Sequence, residues 1–281
     1  MDQLEKCAKL IKKAKVILIG AGSGLSTSAG FEYSGERFKN YFQDFIDRYH
    51  FHDMYEAGFY PYTSLEEYWA YWSRYVYYNR YIPAPKDTYK KLYDLVKDKD
   101  YFVLTTNVDH QFQEAGFDKK RLFYTQGDYG LFQCSEPCHQ KTYDNQEVIE
   151  QMVKNQKNRK IPTELIPHCP ICGKPMTMNL RCDDTFVEDE GWHHAMQRYV
   201  EFRSKHRYDK IVYLELGVGM NTPGIIKYPF YNATHENPSS HLIVMNNQPT
   251  KIPLLIKRRT IELIGDIDQN LDKIKKSLHE M

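Results

Sequence analysis

The sequence predicts an α/β protein in which a mostly parallel sheet carries helices on both faces. Six short apolar segments have the length and composition of buried strands, and helical patterns separate several of them. This alternation is typical of a sheet that is covered on both sides. The strand segments are Val16–Ile19, Tyr101–Thr105, Leu122–Tyr124, Ile211–Leu216, His241–Met245 and Thr260–Leu263. The clearest helical patterns are Met1–Lys15, Thr88–Val96, Gly191–Ser204 and Asp266–Leu278.

The composition is that of an ordinary globular chain. The formal net charge is only +1 over 281 residues, so the chain has no strong positive electrostatic field to attract nucleic acid. The helical pattern of Met1–Lys15 has no continuous apolar core, so it does not resemble a secretory signal. No apolar run approaches the roughly 18 residues that a membrane span needs. We therefore expect a cytoplasmic protein with neither nucleic acid nor membrane as a partner, whose cysteines are metal ligands or thiols.

A glycine-rich turn follows the first predicted strand. Val16–Ile19 leads into Gly-Ala-Gly, and small hydroxyl residues follow where a helix would begin. This pattern is typical of a Rossmann-like strand that brings backbone to a phosphate, although a tight turn in any α/β protein would look the same. Leu25 replaces the third glycine of the dehydrogenase fingerprint, so the pattern favours dinucleotide binding over hydride transfer. The predicted cofactor-binding residues of this segment are Gly20, Ala21, Gly22, Ser26 and Thr27.

Polar residues also follow four later strands of the predicted sheet. Asn107 and Asp109 come after Tyr101–Thr105, and Gln126 comes after Leu122–Tyr124. Ligands bind at the carboxyl ends of parallel strands, so the ordered set predicts one dinucleotide trough. Taken alone, the Asn-x-Asp run could equally be a helix N-cap at Asp109. The glycine, amide and adjoining residues predicted to bind cofactor after the two late strands are Gly217, Val218, Gly219, Asn246 and Asn247.

Two close cysteine pairs predict a zinc site. Three residues separate Cys134 from Cys138, and two separate Cys169 from Cys172, so four thiolates can complete a tetrahedron. Such a site has no open position, which makes the metal structural. Unligated structural thiols are the alternative. The residues that could replace one of these ligands are His139, His168 and Cys182.

Two segments interrupt the strand and helix alternation. Residues 41–81, the aromatic block, are dense in aromatic side chains at helical spacing, which favours core packing. Aromatic side chains in excess of those the core needs could line a pocket for an apolar ligand arm. Residues 131–186 are polar and carry the cysteine pairs. We therefore expect a Rossmann-like domain of residues 1–130 and 187–281, with an aromatic helical insertion at about 40–82. Residues 131–186 would form a small zinc-binding insertion.

The order of these motifs resembles the sirtuin family, from Val16 to about Leu271. The resemblance rests on the order of six features. They are a Gly-Ala-Gly turn, a Thr-x-Asn-x-Asp run, a residue followed by glycine before the first cysteine pair, a second cysteine pair, a Gly-x-Gly turn and a late asparagine. It implies a Rossmann-type domain interrupted by a small zinc domain, with NAD bound between them. By the same resemblance, the remaining cofactor-binding residues are Arg37, Asp266 and Ile267.

One departure from the family bears on the reaction. Gln126 stands where sirtuin deacylases carry a histidine, and Gly24, Leu25 and the aromatic block are further differences. In these respects the chain resembles the macrodomain-linked microbial sirtuins of class M. That group is similar to ADP-ribosyltransferases that modify a lipoyl-bearing carrier protein of the glycine-cleavage H type. The resemblance implies a lipoylated carrier as acceptor and a macrodomain ADP-ribosyl hydrolase as a second partner.

These residues suit glycosidic cleavage of NAD⁺. The nicotinamide ring of NAD⁺ is cationic while it is bound to the ribose, so its departure needs no general acid. The transition state spreads positive charge over the ribose, which Asp109 would stabilise while Asn107 holds ribose hydroxyls or excludes water. Gln126 can hydrogen-bond but cannot titrate near neutral pH. The sequence therefore predicts an NAD-dependent protein ADP-ribosyltransferase, with NAD as co-substrate and structural zinc. The alternatives are a residual deacylase, an NAD hydrolase and a non-catalytic NAD-binding sensor.

Overall fold

The strands of the computed structural model, which describes residues 2–280, form two sheets. Six make a parallel sheet in the order β3-β2-β1-β7-β8-β9, and three make a smaller antiparallel sheet in the order β5-β4-β6. All six strands predicted from the sequence lie in the larger sheet. The strands are β1 Val16–Ala21, β2 Asp100–Thr105, β3 Leu122–Tyr124, β4 Gly127–Cys134, β5 Tyr143–Asp144, β6 Met176–Leu180, β7 Ile211–Leu216, β8 His241–Asn246 and β9 Thr260–Ile264.

Helices cover both faces of the parallel sheet, as predicted. Side chains alternate along β1, so Ile17 and Ile19 face one core and Leu18 faces the other. The helices are α1 Gln3–Lys13, α2 Ser23–Ser28, α3 Gly35–Tyr49, α4 Met54–Gly58, α5 Leu65–Val76, α6 Thr88–Val96, α7 Gln111–Glu114, α8 Gln146–Asn155, α9 Glu190–Lys205, α10 Lys227–Glu236 and α11 Ile267–His279. The first core is closed by α1, α2, α6 and α11, and the second by α9 and α10.

The aromatic block packs against the segment that carries the cysteine pairs, residues 131–186. Helices α3, α4 and α5 share one hydrophobic cluster with β4, β6 and α8. Trp69 of α5 is fully buried, and its ring meets Phe132 of β4 edge to face at a centroid distance of 5.2 Å. Core packing, as the helical spacing predicts, is therefore observed. A π-helical turn, Tyr77–Tyr81, continues directly from α5.

The register of the parallel sheet aligns the strand ends that carry the predicted site. Ala21 pairs with Thr105 of β2 and with Leu216 of β7. Thr105 pairs with Tyr124, and Leu216 pairs with Met245. The turns after β1, β2, β3, β7 and β8 therefore leave the sheet at one edge. Within residues 2–280, none of the helices is long and apolar enough to cross a membrane.

Candidate active site

The glycine turn after β1 is packed directly against the end of β7. A Cβ atom at Gly20 would lie 2.4 Å from Ile226, and one at Gly22 would lie 2.7 Å from the carbonyl oxygen of Gly217. The N–H groups of Gly22 and Gly24 donate to the carbonyl oxygens of residues 216 and 217, each across 3.0 Å. Close protein packing therefore requires these glycines, and both N–H groups donate to carbonyl oxygens of the protein. The sequence pattern did not indicate this arrangement.

Asn107 and Asp109 belong to one buried hydrogen-bond network at the exit of β2. The Asn107 Nδ2 atom donates to the Gly22 carbonyl oxygen across 3.1 Å and to the Tyr89 hydroxyl across 3.3 Å. Ser26 Oγ donates to Asp109 Oδ2 across 2.5 Å, and Tyr89 Oη lies 3.2 Å from the same oxygen. The glycine turn and the Asn-x-Asp run therefore form one structural unit.

The Asp109 carboxyl is 3% exposed. Burial raises its pKa above the ordinary value, and hydrogen bonds from Ser26, Gln111 and Tyr89 oppose that rise. One of these donors is the Gln111 N–H, 3.1 Å from Oδ1. The N-cap residue of α7 is His110 rather than Asp109, and the His110 side chain makes no capping hydrogen bond. Asp109 therefore does not act as the N-cap that its sequence pattern allowed, and its other oxygen faces the network.

A cavity of about 210 Å³ opens above this network. It brings together the three predicted catalytic residues, Asn107, Asp109 and Gln126. The Gln126 carbonyl oxygen accepts the Arg181 N–H across 3.0 Å, which ties the end of β6 to the cavity. The cavity is lined by Ser23, Ser26, Tyr33, Tyr55, Thr106, Asn107, Val108, Asp109, Gln126, Tyr129, Leu180 and Arg181.

The four predicted zinc ligands converge. Their sulfur atoms all lie within 4.8 Å of one another. Cys134 and Cys172 are 3.6 Å apart at Sγ, as are Cys138 and Cys169. Sulfurs about 3.8 Å apart are expected around a tetrahedral Zn²⁺ with bonds of ~2.3 Å. The set therefore fits a structural zinc ion. Of the three rival ligands, His139 contacts the cluster, with Nδ1 3.0 Å from Cys138 Sγ and Nε2 2.9 Å from the Tyr143 hydroxyl.

Comparison with known proteins identifies the family. No protein-family model matches the chain. Over 273 residues the chain is 42% identical to a protein ADP-ribosyltransferase of Staphylococcus aureus, and the match covers 95% of this chain and 86% of that protein. The chain belongs to this family of protein ADP-ribosyltransferases. Over 231 residues it is 29% identical to a probable bifunctional ADP-ribose hydrolase/ADP-ribosyltransferase of Fusarium oxysporum f. sp. cubense, covering 78% of this chain and 38% of that protein.

Solved structures show that this ADP-ribosyltransferase has the sirtuin fold. A Sir2 enzyme, solved for its mechanism and regulation, superposes with a TM-score of 0.63 at 19% identity, covering 99% of this chain and 98% of that chain. A Sir2 mutant with p53 peptide and NAD gives a TM-score of 0.62 at 16% identity, with both chains fully covered. The resemblance to sirtuins and the α/β fold class are thus confirmed.

The remaining predicted cofactor residues of the ADP-ribosyltransferase lie along the same sheet edge but outside the 210 Å³ cavity. Gly217 begins the turn after β7 with φ +60°, a conformation that favours glycine. The Asn246 Nδ2 atom donates to the Val218 carbonyl oxygen across 3.2 Å, which joins the ends of β7 and β8. Gly219 and Asn247 follow these residues directly in their turns.

Three residues implied by the family resemblance are engaged within the protein. The Arg37 guanidinium donates to Asn79 Oδ1 and to the Tyr78 carbonyl oxygen, each across 2.8 Å, and does not line the cavity. Asp266 caps α11 by accepting the Gln269 N–H across 2.9 Å. Ile267 is buried in the first core.

Eight of the residues that line the cavity were not among the predicted site residues, and four of these eight have aromatic or charged side chains. Tyr33, Tyr55 and Tyr129 form an aromatic wall, with the Tyr33 and Tyr55 ring centroids 5.0 Å apart. Arg181 is the cation of the lining. Neither periodicity nor spacing distinguishes these residues from core or surface positions, although Arg181 precedes Cys182, which the sequence did single out.

Proposed function

We propose that this chain cleaves the nicotinamide–ribose bond of NAD⁺ and transfers ADP-ribose to a nucleophile on an acceptor protein. One observation carries the proposal. An amide, a buried carboxylate and a glutamine line the same small cavity at the carboxyl edge of a parallel sheet. These are Asn107, Asp109 and Gln126. Membership of the protein ADP-ribosyltransferase family supports the same reaction class.

The chemistry follows from the charge of the leaving group. The bond between the ribose C1′ and the nicotinamide nitrogen breaks, and neutral nicotinamide leaves with the electron pair. The acceptor nucleophile forms a new bond to C1′ and gives its proton to solvent. Positive charge on the ribose is transient, so a carboxylate held ready in a water-poor site stabilises the transition state. Asp109 supplies this charge, and Asn107 orients the ribose hydroxyls or excludes water.

Gln126 favours transfer over deacylation. A deacylase needs a base to activate the ribose hydroxyl that attacks the acyl intermediate, and a positioned base contributes about 10²–10⁴ in rate. The glutamine side chain donates and accepts hydrogen bonds but does not take a proton near neutral pH. Direct transfer of ADP-ribose to an outside nucleophile has no such step.

We propose that the rest of the NAD molecule lies along the sheet edge between the turns after β1, β7 and β8. These turns meet in the structure through Gly22, Gly217 and Asn246. The residues proposed to contact the dinucleotide are Gly20, Ala21, Gly22, Ser26, Thr27, Arg37, Gly217, Val218, Gly219, Asn246, Asn247, Asp266 and Ile267.

The acceptor we propose is a lipoylated carrier protein of the glycine-cleavage H type, in the cytoplasm. A lipoyl-lysine arm is long and largely apolar, so the tyrosine wall of Tyr33, Tyr55 and Tyr129 would suit it. A macrodomain ADP-ribosyl hydrolase would act as the opposing partner. The name of the Fusarium relative combines an ADP-ribose hydrolase with an ADP-ribosyltransferase in one protein, which supports this pairing.

Labelled NAD⁺ tests these proposals directly. The chain is incubated with label on the ADP-ribose moiety and with carrier protein in lipoylated or unlipoylated form. We expect nicotinamide release and label on the lipoylated carrier only. Label found solely as free ADP-ribose would contradict transfer and indicate hydrolysis. Equal labelling of both carriers would contradict the lipoyl requirement while leaving transfer intact, and nucleotide binding without nicotinamide release would indicate a sensor.

A further inference from the structure

Tyr89 lies at the centre of the network below the cavity. Its side chain comes from α6, whereas Ser26 comes from α2, and Asn107 and Asp109 come from the turn after β2. The Tyr89 hydroxyl oxygen is 3.0 Å from Ser26 Oγ, 3.2 Å from Asp109 Oδ2 and 3.3 Å from Asn107 Nδ2. Tyr89 is 3% exposed, so these contacts are shielded from water.

The chemistry of the partners fixes the direction of three bonds in this network, whereas in the Ser26–Tyr89 contact either hydroxyl can donate. An amide nitrogen only donates, so the Tyr89 oxygen accepts from Asn107. The Ser26 hydroxyl donates to Asp109. The single proton of Tyr89 then goes to the same Asp109 oxygen, because a carboxylate only accepts. Through one atom, Tyr89 therefore holds both the Asn107 amide and the Asp109 carboxylate.

A rigid helix sets the position of this hydroxyl. The Tyr89 ring packs edge to face on Phe112 at a centroid distance of 5.0 Å. Beside it, Thr88 Oγ1 donates to Asp268 Oδ1 of α11 across 2.7 Å, and Lys91 of α6 pairs with the same carboxylate at 3.0 Å. Burial and the nearby Asp109 raise the pKa of Tyr89 well above its ordinary value, so the hydroxyl stays a donor.

We propose that Tyr89 is a positioning residue for cleavage of the nicotinamide–ribose bond: its hydroxyl fixes the Asn107 amide and the Asp109 carboxylate relative to the cavity. This inference rests on the proposed function of that site. Tyr89 does not line the 210 Å³ cavity, so it acts through its two partners. The exchange of its hydroxyl for hydrogen would leave the ring packing intact.

The groups facing Asp109 determine how the exchange alters pH dependence. Asp128 raises the pKa of Asp109, as burial does, whereas Tyr89 lowers it by donating to the charged form. Tyr33 and Tyr129 also interact with the carboxylate, and burial, with a smaller effect of Asp109, raises the pKa of each, so both remain neutral. Without the Tyr89 donor, the pKa of Asp109 rises further, and the acid limb of the rate profile moves to higher pH.

The test compares Tyr89→Phe with Tyr93→Phe, which removes a hydroxyl one turn further along α6 and outside the network. Nicotinamide release is measured over a pH series at several NAD⁺ concentrations, with thermal melts of each protein. For Tyr89→Phe we expect kcat to fall about tenfold or more, since hydrogen bonds to charged groups are worth that factor. KM for NAD⁺ should change less than about threefold, and the acid limb should move upward. Tyr93→Phe should match wild type.

Incorporation of 3-fluorotyrosine at position 89 gives a second variant that keeps the shape of the side chain. Fluorine makes the hydroxyl a stronger donor, so the acid limb should move to lower pH with KM unchanged. Wild-type kcat and an unmoved acid limb in both variants would overturn the role of Tyr89. A wild-type chain that releases no nicotinamide would instead overturn the proposed function, so the two failures are distinguishable.

Discussion

The side-chain amide of Asn107 donates to the carbonyl oxygen of Gly22 across 3.1 Å, although the two residues are 85 positions apart in the sequence. The contact joins the glycine turn after β1 to the Asn-x-Asp run after β2. It exists because the two strands pair in parallel register, Ala21 beside Thr105. The floor of the cavity therefore depends on the alignment of two strand ends.

Asn107→Ala should abolish transfer while the fold persists. The substitution removes an oriented amide from the cavity, and loss of one such group costs roughly 10²–10³ in kcat. The lost hydrogen bond to Gly22 should cost about 1–2 kcal/mol of stability. Nicotinamide release and urea unfolding measure the two effects. Asn155→Ala, an exposed change on α8, is the control. Activity that persisted in Asn107→Ala would contradict the assignment of this residue.

Gln126→His should raise deacylation. The wild-type chain should form O-acyl-ADP-ribose from an acyl-lysine peptide at least ~10²-fold more slowly than it releases nicotinamide, because no base is positioned at residue 126. The histidine variant supplies a group that titrates near neutral pH. Gln197→His, on the exposed face of α9, controls for a new histidine as such. Robust product from the wild type would show that glutamine does not disable this reaction.

Zinc content should depend on Cys138 and not on Cys182, although both are exposed. Cys138→Ser removes one of the four clustered ligands, whereas Cys182→Ser changes a thiol outside the cluster. Cys134 and Cys169 also belong to the hydrophobic cluster of the aromatic block, so metal loss should loosen that core. Elemental analysis and thermal unfolding report both effects. Zinc loss in Cys182→Ser would assign the ligands differently.

Lys227→Met should destabilise the fold by about 3–5 kcal/mol, since it leaves Glu215 buried without its partner. The two side chains are 3% and 0% exposed and form an ion pair. Lys205→Met, which breaks an exposed pair with Asp100, should cost less than about 1 kcal/mol. Urea unfolding compares the variants. A double variant, Lys227→Met with Glu215→Gln, should recover part of the loss.

The loss of folding stability in Lys227→Met should also depend on pH. Burial raises the pKa of Glu215 and Lys227 lowers it, so the variant raises that pKa further. The folded carboxyl then binds a proton more tightly than the unfolded one, and stability falls as pH rises from the unfolded pKa toward the folded pKa. The loss should therefore shrink in acid. Unfolding is measured at about six pH values between pH 4 and pH 8. If the loss of unfolding free energy stayed constant over that range, Glu215 would not be an unpaired carboxylate in the variant.

The sequence predicted the elements that local pattern determines. The six strands were found because buried parallel strands are short apolar runs, and the four cysteines because zinc sites have fixed ligand spacing. Tyr89 could not be found this way, since its position in α6 has the same spacing as the core residue Leu92. The Glu215–Lys227 pair was equally hidden, because a charge inside a strand shows no partner until the chain is folded.

A structure of the chain with NAD⁺ tests the central claim most directly. We expect the nicotinamide ribose in the 210 Å³ cavity, with C1′ within about 4 Å of a side-chain atom of Asn107, Asp109 or Gln126. The face of C1′ opposite nicotinamide should be open to an acceptor. A ribose bound elsewhere, beyond reach of the Asn107 amide and the Gln126 side chain, would rule out catalysis at this cavity.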